Sequence, residues 1–312
     1  MNKLLVIAGP TASGKSALAS AVADEFGGTV INADSMQVYR GVPILTAQPT
    51  QEEQERLPHR LYGVFEPADL CSAGIWRTLA VEACEAAWAE GRLPVVVGGT
   101  GLYLRSLVDG LSPIPDIPDD VREASRALFA ELGNARFHEK LTERDPVMAA
   151  RLDPGNSQRL VRAWEVIEAT GRSLADWQAD PREGGLDADS ATILLTPPRD
   201  ALYGNCDRRL EAMLGKGALD EVAALTKLGL DQALPVMKAL GVAELAAHLR
   251  GEWSLADALA AAQQSTRRYA KRQLTWFRHQ LVPQMRVDEK YSESLPEKIF
   301  AFIRHFLLTT AA

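Results

Sequence analysis

Cysteine is scarce: Cys71, Cys84 and Cys206 are the only three in 312 residues. They are odd in number, widely spaced and form no CxxC, which argues against a disulfide framework and against a zinc site of ordinary spacing. No apolar run approaches the about 20 residues that a membrane helix needs. No short apolar stretch with a cleavage site follows Met1, so a secretory address is not expected. The expectation is a cytoplasmic protein with reduced thiols and no membrane contact. A global basic excess is also missing. Lys and Arg number 34 against 41 Asp and Glu, a net charge of −7, which taken alone speaks against a nucleic-acid partner. Acid is missing too, but locally. No Asp or Glu lies between Asp257 and Asp288, a stretch that holds Arg267, Arg268, Lys271, Arg272, Arg278 and Arg286. In an acidic chain this is a segregated positive surface, although a solvated helix face is the commoner meaning of such a run.

What is present is ordinary globular composition, 46% hydrophobic and 24% charged. At roughly 150 residues per domain the length suits two compact units. Residues 3–8 read as a buried strand, a glycine-bounded loop follows, and apolar residues then recur at helical spacing from Ser16 to Phe26. Thr29 to Ala33 and Leu93 to Val97 read as further strands, with a helix over about 74–91 leading into the second. This alternation predicts an α/β fold with a parallel sheet covered on both faces. Three prolines between Ser112 and Pro118 mark a linker, and the segment from Asp119 to about Gly171 is patterned as helix. Thr192 to Thr196 returns as a strand, and the last third reads as helical. The simplest organisation is an α/β core of residues 1–113 and 191–312, interrupted by a helical insertion of residues 114–190.

Gly9-Pro10-Thr11-Ala12-Ser13-Gly14-Lys15-Ser16 fits GxxxxGK[ST] at every fixed position, with a strand before it and a helix after it. Such a loop turns its backbone N–H groups toward phosphate oxygens, and the following helix adds its positive end. Lys15 supplies a cation for the phosphates and Ser16 a hydroxyl for Mg²⁺. The motif specifies a polyphosphate and no particular chemistry. The strand at Leu93–Val97 ends in Gly98-Gly99-Thr100, without the carboxylate that holds the metal shell in most ATP- and GTP-using enzymes. A carboxylate ends the strand at Thr29–Ala33 instead. Asp34 thereby stands at the carboxyl edge of the sheet, where open α/β sheets bind ligands. Position alone leaves general base and metal ligand both open.

Taken with Asp34-Ser35-Met36-Gln37-Val38-Tyr39-Arg40-Gly41, the sequence resembles the tRNA dimethylallyltransferases, the adenosine isopentenyltransferase family. The resemblance is carried over nearly the whole chain by five motifs in order. The phosphate loop and the Asp34 segment are the first two. Gly98-Gly99-Thr100-Gly101-Leu102-Tyr103 is similar to the family's GGTGLY element. Gln158-Arg159-Leu160-Val161-Arg162-Ala163-Trp164-Glu165-Val166 is similar to its QRxxRAxEV helix. The stretch from Thr266 to Arg278 is similar to TRxYAKRQxTWFR.

The resemblance implies a P-loop kinase-like core with a helical insertion domain. It implies transfer of a dimethylallyl group from dimethylallyl diphosphate to N6 of the adenosine directly 3′ of certain tRNA anticodons, with Mg²⁺. Asp34 then matches the general base, Thr11 and Arg209 the catalytic diphosphate contacts, and Gly9 to Ser16 the diphosphate loop. Asp34, Ser35, Met36 and Gln37 match the turn that contacts the base, with the Gln37 amide available for an adenine edge. Thr100, Arg122, Gln158, Arg159, Leu160, Val161 and Arg162 match positions that contact RNA. The adenosine has to be flipped from the anticodon loop. The chain departs from the family pattern at Gln48, where a lysine is frequent, at Asn205, where an arginine is frequent, and at Gly241-Val242. These departures put only secondary RNA or diphosphate contacts in doubt. Nothing calls for an obligate interface, so a monomer is expected.

Two other classes fit part of the sequence. A small-molecule or nucleotide kinase explains the phosphate loop and leaves the missing carboxylate after Val97 and the basic C-terminal helix unexplained. An ATP-binding RNA-interaction module explains the basic segments and leaves Asp34 without work.

Overall fold

A computed structural model describes residues 2–289 and 295–309; residues 1, 290–294 and 310–312, which belong to the expected core segments, lie outside the described residues. Six strands form one sheet: β1 (Lys3–Ala8), β2 (Gly28–Asn32), β3 (His59–Arg60), β4 (Leu93–Gly98), β5 (Asp189–Leu195) and β6 (Met285–Val287). Their order is β3-β2-β4-β1-β5-β6, and every pairing is parallel. All carboxyl ends therefore share one edge. The phosphate loop leaves β1, the Asp34 turn leaves β2 and the Gly98-Gly99 turn leaves β4, and β4 lies between the other two.

The strands are nearly continuous apolar runs because both faces are covered. Leu4, Val6, Ala8, Ile31, Val96 and Leu194 point to one face, toward the helices Ala73–Ala89, Gly101–Val108 and Arg199–Gly215. Leu5, Ile7, Val30, Val95, Val97 and Ile193 alternate to the other, toward Lys15–Phe26 and Leu295–Leu308. The period-two alternation along each strand divides one sheet between two cores.

The sequence reading misses β3 and β6, of two and three residues, which are too short to show a period. β6 lies inside the acid-free stretch. Arg286 is thus on an edge strand, whereas Arg267 to Arg278 ride one helix, Leu255–Gln280.

The chain divides into two compact units, Met1–Val108 with Leu186–Ala312, and Asp109–Gly185. The insertion expected at 114–190 is displaced by about five residues at each end. The Leu186 amide is bonded to the Leu107 carbonyl, and Asp189 already pairs with Lys3 in the sheet, so 186–190 belong to the core. In the smaller unit, Leu111 and Glu183 exchange backbone hydrogen bonds of 3.0 and 2.9 Å. Its helix Asp119–Arg144 breaks at Gly133, where φ is 67°. Its core is built on Phe137, Leu141, Leu160 and Val166, all fully buried. Phe137 stands edge-on to Phe129 at 5.2 Å between ring centroids.

Candidate active site at the carboxyl edge of the sheet

After Ala8 the chain turns through Ala12, a non-glycine residue at φ 61°. Backbone strain of this kind persists where surrounding structure imposes it, often at functional sites. The loop is closed by the Ser13 amide donating to the Pro10 carbonyl at 3.3 Å. Lys15, in the first turn of the helix, is buried, and its Nζ donates to the Pro10 carbonyl at a long 3.3 Å. Burial pulls its pKa down to about 8, with Asp34 opposing the shift and Arg209 reinforcing it. A desolvated ammonium with one weak bond is a site made for an anion. The buried Ser13 Oγ has no hydrogen-bond partner among the described residues, a further group in this loop ready for a ligand oxygen.

Arg209 arrives from the helix Arg199–Gly215. Its Nη1 donates to Thr11 Oγ1 at 3.2 Å and its Nη2 to the Thr46 carbonyl at 3.4 Å. Burial lowers its pKa, and Asp34 acts against that shift. Lys15 and Arg209 thus sit in the field of the same carboxylate. A cavity of about 960 Å³ opens beside them, lined by the loop from Ala12 to Ser16, by Ile44, Ala47 and Gln48, and by Arg208, Arg209 and Lys216. It has cationic and apolar walls together, as a short alkyl diphosphate requires.

Asp34 follows β2 and begins a tight turn. Its Oδ1 accepts the Met36 amide at 2.9 Å, an Asx-type arrangement that fixes the carboxylate. Asn32 braces the turn from behind: its Oδ1 accepts the Asp34 amide at 2.8 Å, and its Nδ2 donates to the Asp34 and Leu61 carbonyls. The Ser35 amide donates to Thr100 Oγ1 at 2.9 Å, so the turns after β2 and β4 are joined. A Cβ on Gly98 would stand 2.0 Å from the Ala33 carbonyl oxygen. Only glycine lets β4 end this close to the Asp34 turn.

Other expected contacts are placed differently. Both N–H groups of Gln37 are spent on the Thr46 and Ala47 carbonyls, each at 2.9 Å. An adenine edge at Gln37 would therefore meet its carbonyl oxygen and not its amide nitrogen. Gln48 and Asn205, where the family pattern is broken, both serve the cavity wall. Gln48 Nε2 donates to the Tyr39 carbonyl at 2.8 Å. Asn205 Nδ2 donates to the Ala12 carbonyl at 3.2 Å, and its Oδ1 accepts from Arg208 at 2.6 Å.

Arg122 and Gln158 to Arg162 belong to the smaller unit. Gln158 and Arg159 are exposed. Arg162 Nη1 lies 3.4 Å from Glu165 Oε2, and Arg122 Nε donates to the Ile117 carbonyl at 3.0 Å. Leu160 is wholly buried and Val161 packs partly buried against the same core, so neither side chain is open in the way Gln158 and Arg159 are.

On the helix Leu255–Gln280 the residues Ala258, Ala262, Thr266, Ala270, Gln273 and Phe277 are buried at helical spacing. Arg268, Lys271, Arg272 and Arg278 are exposed. Arg267 is not part of that open row, because it is ion-paired with Asp207. Asn32, Thr46 and Gln273 support the site and were not singled out by the sequence reading. Gln273 stands inside a quoted motif, but the other two carry no sequence signal of their own. They become visible only when their hydrogen bonds are seen.

A family model for IPP transferases matches residues 37–280, and one for isopentenyl transferases matches residues 2–65. A tRNA dimethylallyltransferase of Paramagnetospirillum magneticum is 56% identical over 98% of this chain and 97% of its own. One from Rhodospirillum rubrum is 52% identical over 99% of this chain and 96% of its own. The crystal structure of the full-length tRNA isopentenylpyrophosphate transferase of Bacillus halodurans is 34% identical, with a TM-score of 0.72 over 98% of this chain and 97% of its own. A eukaryotic dimethylallyltransferase captured acting on tRNA is 28% identical, with a TM-score of 0.75 over 89% of this chain and 70% of its own. The phosphate loop, the carboxylate turn after β2 and the glycine turn after β4 therefore sit in a chain that belongs to the tRNA dimethylallyltransferase family.

Proposed function

We propose that the protein transfers a dimethylallyl group from dimethylallyl diphosphate to N6 of the adenosine 3′-adjacent to the anticodon in tRNA, releasing diphosphate. The observation that carries this reading is the convergence of Asp34 with Lys15 and Arg209. Two buried or half-buried cations at the phosphate loop both feel the charge of this one carboxylate. A reaction that removes a proton and releases an anion needs both; a kinase would use the same pair, and membership of the tRNA dimethylallyltransferase family favours prenyl transfer over phosphoryl transfer.

An exocyclic adenine amine is a weak nucleophile because its lone pair is delocalised into the ring. As N6 bonds to the allylic carbon, the carbon–oxygen bond to diphosphate breaks and Asp34 takes the N6 proton. Charge develops on the departing diphosphate, where preorganised donors lower the barrier most. The loop amides, Lys15, Ser13 and the Arg209–Thr11 pair supply them. Asp34 then gives its proton to solvent.

Among the described residues no cluster of three or more His, Cys, Asp or Glu side chains is placed to hold a metal. The donor set present, the Ser16 hydroxyl beside a diphosphate site, suits Mg²⁺, which keeps water and substrate phosphate oxygens as most of its ligands. Ser16 would hold it, and the ion would neutralise charge on the leaving group. On the RNA side, Ser35, Met36, Gln37 and Thr100 would meet the flipped base, with Arg122, Gln158, Arg159 and Arg162 on the backbone. The protein is read as a cytoplasmic monomer, and its three cysteines are free. Among the described residues no helix is long and apolar enough to cross a membrane.

The test offers purified protein unmodified tRNA with either allyl-labelled dimethylallyl diphosphate or γ-labelled ATP. Transfer of the allyl label to tRNA supports the reading. Transfer of phosphate with no allyl transfer makes the protein a kinase, and transfer of neither label makes it a binding module.

A further inference from the structure

Gln273 lies on the inward side of the helix Leu255–Gln280 and is 5% exposed. Its Oε1 accepts the Thr11 amide at 2.8 Å, and its Nε2 donates to the Gly99 carbonyl at 2.9 Å. One side-chain amide thus ties the phosphate loop after β1 to the turn after β4. That turn continues at Thr100, whose hydroxyl accepts the Ser35 amide beside Asp34. Tyr269, one turn earlier on the same helix, interacts electrostatically with both Thr100 and Asp34. The fit allows little slack, since a Cβ on Gly99 would stand 2.2 Å from Gln273 Nε2.

We propose that Gln273 is a positioning residue for group transfer: its two hydrogen bonds set the spacing between the diphosphate contacts at Thr11 and Arg209 and the carboxylate of Asp34. This rests on the assignment of Asp34 and the phosphate loop to one reaction. The physical ground is that neither turn is paired to the other in any ladder. β1 and β4 are neighbours only as far as Ala8 and Gly98, and beyond them the loops diverge toward different ligands. A transfer reaction needs its nucleophile and its leaving group held within a fraction of an ångström of the productive distance. A buried side chain with a donor and an acceptor fixed at opposite ends meets that need. Glutamine carries both on one planar amide, one methylene farther from the backbone than asparagine does.

The experiment is steady-state kinetics on Gln273→Met, which keeps the volume and removes both bonds, and on Gly99→Ala, which strains the same contact from the other side. Donor KM, tRNA Kd and thermal stability are measured alongside kcat, and the double variant closes a cycle. The proposal predicts that kcat falls about 10- to 100-fold in each single variant, while donor KM and tRNA Kd stay within about threefold, the margin of one weak contact. The double variant loses less than the product of the single losses, because both disturb one spacing. Parent-like kcat in Gln273→Met would overturn the proposal. So would a parallel loss of kcat, donor KM, tRNA Kd and stability, which would make Gln273 a packing residue. If the parent transfers no allyl group at all, the proposed function has failed, and that outcome is distinguished by the parent alone.

Discussion

The Arg209 guanidinium donates to the Thr11 hydroxyl at 3.2 Å across 198 residues of chain. The helix Arg199–Gly215 is thereby fixed to the phosphate loop by a group that has further donors to give. If the pair holds the leaving group, Arg209→Ala lowers kcat/KM for dimethylallyl diphosphate about 10- to 100-fold, the worth of one or two charge-assisted hydrogen bonds. The Kd for tRNA stays at the parent value. Loss of tRNA binding with unchanged donor kinetics would move Arg209 to the RNA surface.

Lys15 gives the site a pH dependence. Burial brings its pKa down to about 8, so in the free enzyme the ammonium is lost as pH rises through about 8. A diphosphate prefers the charged form, and kcat/KM for the donor, which reports the free enzyme, should fall above that pH. Stability moves the other way. An unfolded lysine keeps its proton up to 10.5, so between about 8 and 10.5 the unfolded state binds more protons and the contribution of Lys15 to stability rises with pH. A profile of donor kcat/KM that stays flat from pH 7 to 9 would contradict the assignment.

The acid-free helix carries its charge unevenly. Arg267 is paired with Asp207, while Arg268, Lys271 and Arg272 are exposed. Neutralising substitutions at those three should weaken tRNA binding and flatten its salt dependence by about 0.7 in log–log slope for each phosphate contact removed. Use of the small prenyl donor should not change. Arg267→Gln should leave the salt slope alone. If all four substitutions leave the slope at the parent value, the helix is a structural element and the RNA surface lies elsewhere.

The fold was legible in sequence wherever a strand had to be buried on both faces. β1, β2, β4 and β5 are near-continuous apolar runs bounded by glycine, proline or a carboxylate, and these constraints leave little else for them to be. β3 and β6 escaped because two or three residues impose no period. The phosphate loop was legible because a backbone that wraps an anion needs small residues at fixed places. The placement of Asp34 at the carboxyl edge followed from its position at the end of a strand in a parallel sheet. What could not be read is the bracing: Asn32 behind Asp34, Thr46 behind Gln37 and Arg209, and the pairing of Arg267. Arg209 to Thr46 and Arg267 to Asp207 join segments 163 and 60 residues apart, of which a linear pattern carries no trace, while Asn32 to Asp34 and Gln37 to Thr46 are local bonds inside turns whose geometry the residue types alone do not specify. The Gln37 amide is not open as expected, since both N–H groups are taken by the backbone of residues 46 and 47, only nine and ten positions on.

Asp34 bears the central claim, that one carboxylate takes a proton from adenosine N6 while a prenyl diphosphate departs. Asp34→Asn keeps the shape of the turn and its bond to the Met36 amide. It should leave donor and tRNA binding intact and lower kcat by about 10²–10⁴-fold. The most direct measurement is digestion of tRNA after reaction with allyl-labelled dimethylallyl diphosphate, followed by mass analysis of the nucleosides. The account predicts one added C5H8 unit on N6 of the adenosine 3′ of the anticodon, formed by the parent and nearly absent with Asp34→Asn. Label on another nucleoside, or label formed by Asp34→Asn at the parent rate, would contradict it.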